Sequence, residues 1–412
     1  MRHIISNRHF LQVWAGQVIS NVGDWFTYVA LIARIYQMGG GSLAVSGLLI
    51  SQMGSALLAG QVAGVLVDRL NRKQTMIAVD LVRAAVIFAA VFSHNLWVIY
   101  ALVFVAGVGS ALFQPALYAS VPNLVKPESL AMANSLITTT YNLGFVMGPA
   151  LGGIITGRWG AGVALLGDAI SFLVSAACVA LSKVPQEARA RGPLNLRAAY
   201  DDLVEGLRHI RQRTEVLVVI VTLLAIMSFS GLINVVEIYF ARDVLHAGNQ
   251  GFGYMVSAWG AGMVLGSLLP GLIRAQSRAM ALFLAAVLLQ GVGVGLVGVA
   301  PHLVWALAFL VVGGLGNGAH NVAAAVVIQQ ATADQLRGRV FSTRRTLAYL
   351  GWVVSMAVGG FLPSIMPLRA IYIMTGLSHL LILGAAVGLM QRAGQVQQAE
   401  AARPGPGKAG RE

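Results

Sequence analysis

Twelve apolar stretches run through the chain, near residues 10–36, 43–67, 74–93, 96–118, 130–157, 161–182, 215–241, 250–272, 279–299, 303–328, 340–362 and 368–390. Each meets the roughly 20-residue length that an α-helix needs to cross about 30 Å of hydrocarbon. With 57% hydrophobic and only 10% charged residues, and a mean hydropathy of +0.75, too little polar surface exists to cover a soluble globule of 412 residues. The sequence therefore predicts an all-α integral membrane protein with twelve transmembrane helices.

The net charge of +13 raises nucleic acid as a partner, and the position of the cations decides against it. With the N-terminus inside, and with Arg344, Arg345 and Arg369 at the ends of their stretches counted with the adjoining segments, 23 of the 28 Lys and Arg residues are cytoplasmic, 3 outside (Arg158, Arg242, Arg369) and 2 within spans (Arg34, Arg83). That asymmetry is the positive-inside rule, so both termini are expected in the cytoplasm and no nucleic acid is expected as a partner. The basic start Met1-Arg2-His3 precedes an apolar run longer than a signal-peptide core and without a small-residue cleavage site, so it reads as an uncleaved first helix. The sole cysteine, Cys178, lies mid-span and reads as a small packing residue.

The longest polar stretch, 183–214, divides the chain into an N-terminal six-helix lobe (1–182) and a C-terminal one (215–390), with a tail at 391–412. Within the linker, Leu196, Leu203, Leu207 and Ile210 recur at helical spacing between charges, which predicts an amphipathic helix on the inner leaflet, with a solvated linker as the alternative. The Ala-, Gly- and Pro-rich tail is expected to be disordered. An offset of 207 residues superimposes Gly64 on Gly271, Gly107 on Gly314, Gly109 on Gly316, Gly144 on Gly351, and Gly152-Gly153 on Gly359-Gly360 without gaps. One register held across several loops points to parallel halves with a substrate site between them.

Between the second and third stretches lies the turn Gly64-Val-Leu-Val-Asp68-Arg69-Leu-Asn-Arg72-Lys73, echoed at Gly271-Leu-Ile-Arg274-Ala-Gln-Ser-Arg278 without the acid. A small residue there permits close helix packing, Asp68 can bind a neighbouring helix terminus, and the cations anchor the loop inside. In the fifth stretch Gly144, Gly148, Pro149, Gly152 and Gly153 form a smooth, bend-prone face. The turn resembles the signature motif of the major facilitator superfamily, with Asn71 where the family has glycine. The fifth-helix run resembles its antiporter motif, G-x-x-x-G-P-x-x-G-G. Gly23-Asp24-Trp25, Gly107 to Pro115, Val121-Pro122 and Arg337-Gly338-Arg339-Val340 are similar to the branch containing enterobactin exporters and macrolide efflux proteins. The resemblance implies two pseudo-symmetric six-helix lobes in a plasma (inner) membrane. Gating is expected at Gly64, Asp68, Arg69, Arg72 and Lys73, with Arg34, Asp80 and Arg83. The superfamily's fourth-helix arginine would fall near Val103, so coupling through that residue does not carry over.

Ionisable groups inside a bilayer are costly and therefore candidates for function. Gln17, Asn21, Asp24 and Tyr28 form one polar stripe, with Asp24 about halfway across; a role in proton coupling or substrate contact stands beside a structural hydrogen bond. Arg34 and Glu237, near the outer ends of the first and seventh spans, either pair as an outer gate or snorkel separately; Glu237 is also, with Asp24, a candidate for proton coupling or substrate contact. Asp80 and Arg83 stand one turn apart as a structural pair. Asp168, on a helix of the kind that usually lies outside the cavity, reads as hydrogen-bonded between helices. Ser110 and Gln114 align with Asn317 and Asn321, and Asn142 aligns with Tyr349. Adding Phe113, Tyr141, His320 and Trp352 gives a lining suited to an amphiphilic, largely neutral molecule.

No phosphate-cradling G-x-x-x-x-G-K-[ST] and no Cys/His cluster occurs in the sequence, so neither an enzyme nor a cofactor nor a metal site is expected. The expected function is secondary active export of a drug, macrolide or siderophore-like amphiphile by alternating access, driven by proton antiport, with the lipid bilayer, substrate and protons as partners and a monomer as the unit. A same-fold lipid flippase or nutrient importer, or a non-transporting membrane sensor or assembly factor, are the alternatives.

Overall fold

The computed structural model describes residues 7–184, 196–272 and 278–401. Six long helices precede the linker: α1 (Arg8–Gln37), α2 (Ser42–Arg69), α3 (Arg72–Phe92), α4 (Leu96–Leu124), α5 (Leu130–Trp159) and α6 (Ala161–Leu181). The linker carries α7 (Leu196–Gln212). Six more follow: α8 (Thr214–Tyr239), α9 (Gly248–Leu272), α10 (Ala279–Val297), α11 (Leu303–Ala331), α12 (Asp334–Phe361) and α13 (Leu368–Ala401). Side chains punctuate them where sequence rules predict. Asn7, Asn71 and Asn95 cap α1, α3 and α4 by accepting backbone N–H groups of the first turn. Gly160, at a φ of 88°, makes the tight turn from α5 to α6.

Among the described residues ten helices are long and apolar enough to cross a membrane. The two that fall short, α1 and α5, are equally long but carry polar residues such as Gln17, Asn21 and Asp24 on one and Asn134, Thr138, Thr139 and Asn142 on the other. Of these, Gln17 and Asn21 are buried against other helices, whereas Asp24, Asn134, Thr138 and Thr139 are exposed.

The duplication visible in the glycines extends to the helix boundaries. Helices α4 and α11 begin and end 207 residues apart, and α10 and α13 start 207 residues after α3 and α6. In the first lobe α1 packs on α5 and α6, α2 on α4, and α3 on α4 and α6; in the second, α11 packs on α9 and α10, α8 on α12 and α13, and α10 on α13. The lobes meet along α5 with α9 and α2 with α12.

Burial is uneven along the membrane normal. Toward the face opposite the chain ends, one apolar cluster crosses both lobes, joining Val29, Ile32 and Ile35 of α1 to Val235 and Val236 of α8 and Phe252 and Met255 of α9. Toward the face bearing the chain ends the core splits in two. Phe10, Val13, Phe113 and Ile137 belong to the first lobe's cluster, and Ile220, Phe283, Ala323 and Val340 to the second's. The lobes are thus closed at one face and parted at the other.

Helix α7 belongs with the second lobe: Ile210 enters its core, Gly206 lies against the Arg339 carbonyl and Thr343, and Glu205 pairs with Arg339. The tail departs from the expectation of disorder. Helix α13 continues to Ala401 because its Gln-, Ala- and Glu-rich end propagates a helix readily; residues 402–412 lie outside the described residues, as does the Arg274 to Ser277 part of the second-lobe turn.

Candidate functional site

The first lobe gathers four ionisable side chains from three helices. On α3, Asp80 and Arg83 stand one turn apart, and Arg83 Nη1 lies 3.5 Å from Asp80 Oδ1. The stronger partner comes from α1: Arg83 Nη2 donates to Asp24 Oδ1 at 2.5 Å. Helix α6 supplies the floor, with Phe172 beneath the guanidinium at 3.8 Å and Asp168 one turn earlier. Asp168 accepts from Thr27 Oγ1 of α1 at 2.5 Å and from Ser171 Oγ at 3.0 Å. This crossing needs the glycine at 23, because a Cβ there would lie 2.9 Å from the Ser171 Cβ.

The four groups differ in access. The Asp24 side chain is 49% exposed while that of Arg83 is 6%, and Asp80 and Asp168 are buried. A cavity of about 60 Å³ adjoins them, bordered by Asp24, Tyr28, Gln52, Arg83, Ser110 and Asp168. One guanidinium thus serves three carboxyl groups at bilayer depth, where every unpaired charge is costly. The expected pair of Asp80 and Arg83 is present at 3.5 Å, and Asp24 joins it by approaching the same guanidinium from the cavity side.

Aromatic rings continue the wall from Asp24 across the lobe boundary. Trp25 meets Phe145 at 4.8 Å and Tyr28 at 5.4 Å, and Tyr28 stacks on Phe252 of the second lobe at 6.3 Å. The small-residue face of α5 makes these approaches possible. Gly144 backs onto Asn21, Gly148 onto Trp25, and a Cβ on Gly152 would lie 3.2 Å from the Phe26 Cα. At the end of the run, Gly153 meets Gly253 of α9: a Cβ on Gly153 would sit 2.9 Å from the Asn249 carbonyl oxygen and 3.0 Å from the Gly253 Cα. Pro149 is buried, with its carbonyl facing the same crossing.

Four hydrogen bonds join the lobes near the closed face. Ser42 and Ser46 of α2 donate to the carbonyls of Gly360 and Met356 at 2.7 Å each. Tyr239 donates to the Gly40 carbonyl at 2.8 Å, and Tyr36 to Asp243. Arg242, on a π-helical turn spanning Phe240–Val244, stacks 4.2 Å over Tyr36. Of the two alternatives for Arg34 and Glu237, the paired outer gate is not formed among the described residues. Arg34 donates to the Ser93 carbonyl within its own lobe at 2.7 Å, which satisfies its guanidinium there, and Glu237 is buried.

At the parted face, the turn after α2 is stitched into the first lobe. Asn71 accepts from the Gln74 N–H, Arg72 donates to the Ala119 carbonyl at 2.7 Å, and Lys73 donates to the carbonyls of Ala180 and Ser182 at the end of α6. Arg69 is exposed at the end of α2. Gly64 and Asp68 lie on α2, but their surroundings fall outside the described residues.

In the middle of each lobe the paired polar positions diverge. Gln114 donates to Tyr141, whereas its counterpart Asn321 accepts from Arg344 at 3.0 Å and donates to the Asn317 carbonyl at 2.9 Å. Asn142 and Tyr349 are half-buried. Two residues expected in the lining are not there: Phe113 is buried in the first lobe's core, and His320 is buried against the Phe283 ring. Both sit on glycine-rich helices whose close packing turns a single large side chain inward. Sequence reasoning missed Arg344, assigned to the cytoplasmic side with the run of arginines around it, and Thr27, whose hydroxyl reveals its role only through Asp168.

Comparison with known proteins agrees with this fold. The sequence profile of the Major Facilitator Superfamily matches residues 13–274 and 218–409. An uncharacterised transporter of that type from Bacillus subtilis, YfiS, is 26% identical over 367 residues, covering 87% of each chain. Macrolide efflux protein A of Streptococcus pyogenes is 23% identical over 360 residues, 84% of this chain and 87% of its own length. The crystal structure of the nucleoside transporter NupG superimposes with a TM-score of 0.75 at 11% identity, covering 92% of this chain and 98% of that one.

Proposed function

Because the chain belongs to the major facilitator superfamily, we propose that it is a secondary active exporter of an amphiphilic small molecule, working by alternating access and driven by proton antiport. The observation that carries this reading is the half-exposed Asp24 bonded to the buried Arg83, with Asp80 and Asp168 behind it. A carboxyl group that can reach both the cavity and a single shared guanidinium is suited to take up a proton when Arg83 is released and to give it up when the ion pair forms. Thr27 and Asp168 fix the α1 backbone beside it. Export rather than import is supported by the small-residue face of α5 and by the name of the macrolide efflux relative.

In this reading the basic, parted face is cytoplasmic, both termini lie inside, the host is the plasma membrane, and the conformation is inward-facing. The turn from Gly64 to Lys73 then forms the inner lock when the lobes rock; neutralising Asp68 impairs cycling more than substrate binding. The deciding experiment is uptake of macrolides, siderophores and dyes into inverted vesicles, with and without a pH gradient. Gradient-dependent accumulation by the natural chain, abolished in Asp24→Asn, is expected. Accumulation that ignores the gradient refutes proton antiport, and no accumulation of any member refutes export.

A further inference from the structure

The second lobe holds a charged group that the first-lobe network does not use. Arg344 lies ten residues into α12, about 15 Å from the start of that helix. It is half-buried, and its hydrogen-bond partner is neutral, the Asn321 side-chain oxygen at 3.0 Å. No carboxylate pairs with it among the described residues. An intramembrane arginine without a counter-charge is expensive and marks a place where an anion is accommodated.

The surrounding hydrogen bonds are short of acceptors. Because Arg344 claims the oxygen of Asn321, the amide nitrogen of that side chain faces the Asn317 carbonyl at 2.9 Å and His320 Nε2 at 3.2 Å. Asn317 Nδ2 also approaches His320 Nε2, at 3.5 Å. The imidazole therefore accepts at Nε2, which places its hydrogen on Nδ1. Nδ1 is buried and has no partner. A guanidinium has five N–H donors, of which Asn321 accepts from one side only. The cluster of Arg344, His320, Asn317 and Asn321 thus has surplus donors, buried or half-buried, and among the described residues no acidic side chain takes them.

We infer that Arg344, oriented by Asn321, forms an anion-binding subsite in the second lobe that holds a carboxylate or phosphate-like group of the transported amphiphile. This rests on the export reading and deepens it: a substrate that engages both lobes presents its acidic group to Arg344. A guanidinium binds such groups in a bidentate fork, which an ester of the same molecule does not reproduce.

The test measures binding at equilibrium, without a gradient or turnover, so its outcome is independent of proton coupling. The purified full chain in phosphatidylcholine nanodiscs is titrated with dansyl-phenylalanine and with its methyl ester, following dansyl fluorescence. The natural chain is expected to bind the acid at least about tenfold more tightly than the ester, as a charge-assisted bond of about 1.5–3 kcal/mol implies. Arg344→Gln should bind both alike, Arg344→Lys should keep part of the preference and serves if the first variant does not fold, and the exposed neighbour Arg345→Gln should keep it whole. Equal affinity for acid and ester in the natural chain overturns the inference, as does a preference that survives in Arg344→Gln. If phosphatidylglycerol in the discs erases the preference, the group bound is a lipid headgroup and the substrate assignment falls.

Discussion

The two lobes share a backbone plan but not their chemistry. Where the first lobe has Arg83, Asp168, Asp80, Asp24 and Phe172, positions 207 residues later carry Gln290, Thr375, Val287, Gly231 and His379. Gln290 is fully buried with both amide atoms unpartnered, and Thr375 Oγ1 and His379 Nε2 are likewise without partners. The first lobe has charged this interior and joined the charges by ion pairs, although Asp80 Oδ2 and Arg83 Nε have no partner there. The second has left it neutral, and its cation, Arg344, stands elsewhere. A duplicated scaffold therefore does not duplicate a mechanism; the proton chemistry proposed here belongs to one half.

The largest effect is expected from writing the second lobe's residue into the first. Arg83→Gln leaves buried carboxyl groups uncompensated and should cost about 3–5 kcal/mol, together with gradient-driven efflux; thermal unfolding in detergent and vesicle uptake would show both. A variant that unfolds like the natural chain and still pumps would end the contrast between the lobes.

The two lobe crossings should differ next. A Cβ on Gly153 meets only backbone of α9, from 2.9 Å, whereas one on Gly360 meets the Leu43 and Ser46 side chains at 3.0 Å and the Leu43 Cα at 3.2 Å. Overpacking of this kind costs about 1–3 kcal/mol, and backbone yields less than a side chain. Gly153→Ala should therefore open the closed face more than Gly360→Ala, read from spin-label distances across it. Equal opening would mean that the crossings are interchangeable.

A smaller change of opposite sign is expected for Gln290→Leu, which removes two unpartnered amide atoms and should leave stability unchanged or raised by about 1 kcal/mol, with efflux intact. Smallest of all, Tyr36→Phe deletes one hydrogen bond at the closed face, worth about 0.5–1.5 kcal/mol, and should shift spin-label distances there without abolishing uptake.

Much of the fold was legible because helix length and apolarity are local properties, and the glycine register announced the duplication. The site was legible only in part. Asp24 stood out as a carboxyl group at mid-span, but its partner did not, because Arg83 is 59 residues away and had a nearer acid, Asp80, to satisfy a local reading. Asp168 was discounted from the usual placing of its helix, yet Gly23 lets α1 approach it. Arg344 was hidden among neighbouring arginines, since the depth of a cation near a helix end depends on how far that helix projects. Arg34 bonds a backbone carbonyl at the end of α3, Ser93, a partner 59 residues away that side-chain charges in the sequence do not reveal.

The apolar cluster that bridges both lobes at one face has a thermodynamic consequence. If opening that face wets the side chains of Val29, Ile32, Val235 and Phe252, the step carries a positive heat-capacity change, as all exposure of apolar surface does. The balance between the two states then follows a curved van 't Hoff plot rather than a straight one. Because apolar association weakens on cooling, chilled preparations should contain more molecules open at that face than warm ones, and the temperature of a measurement becomes part of the description of the state observed.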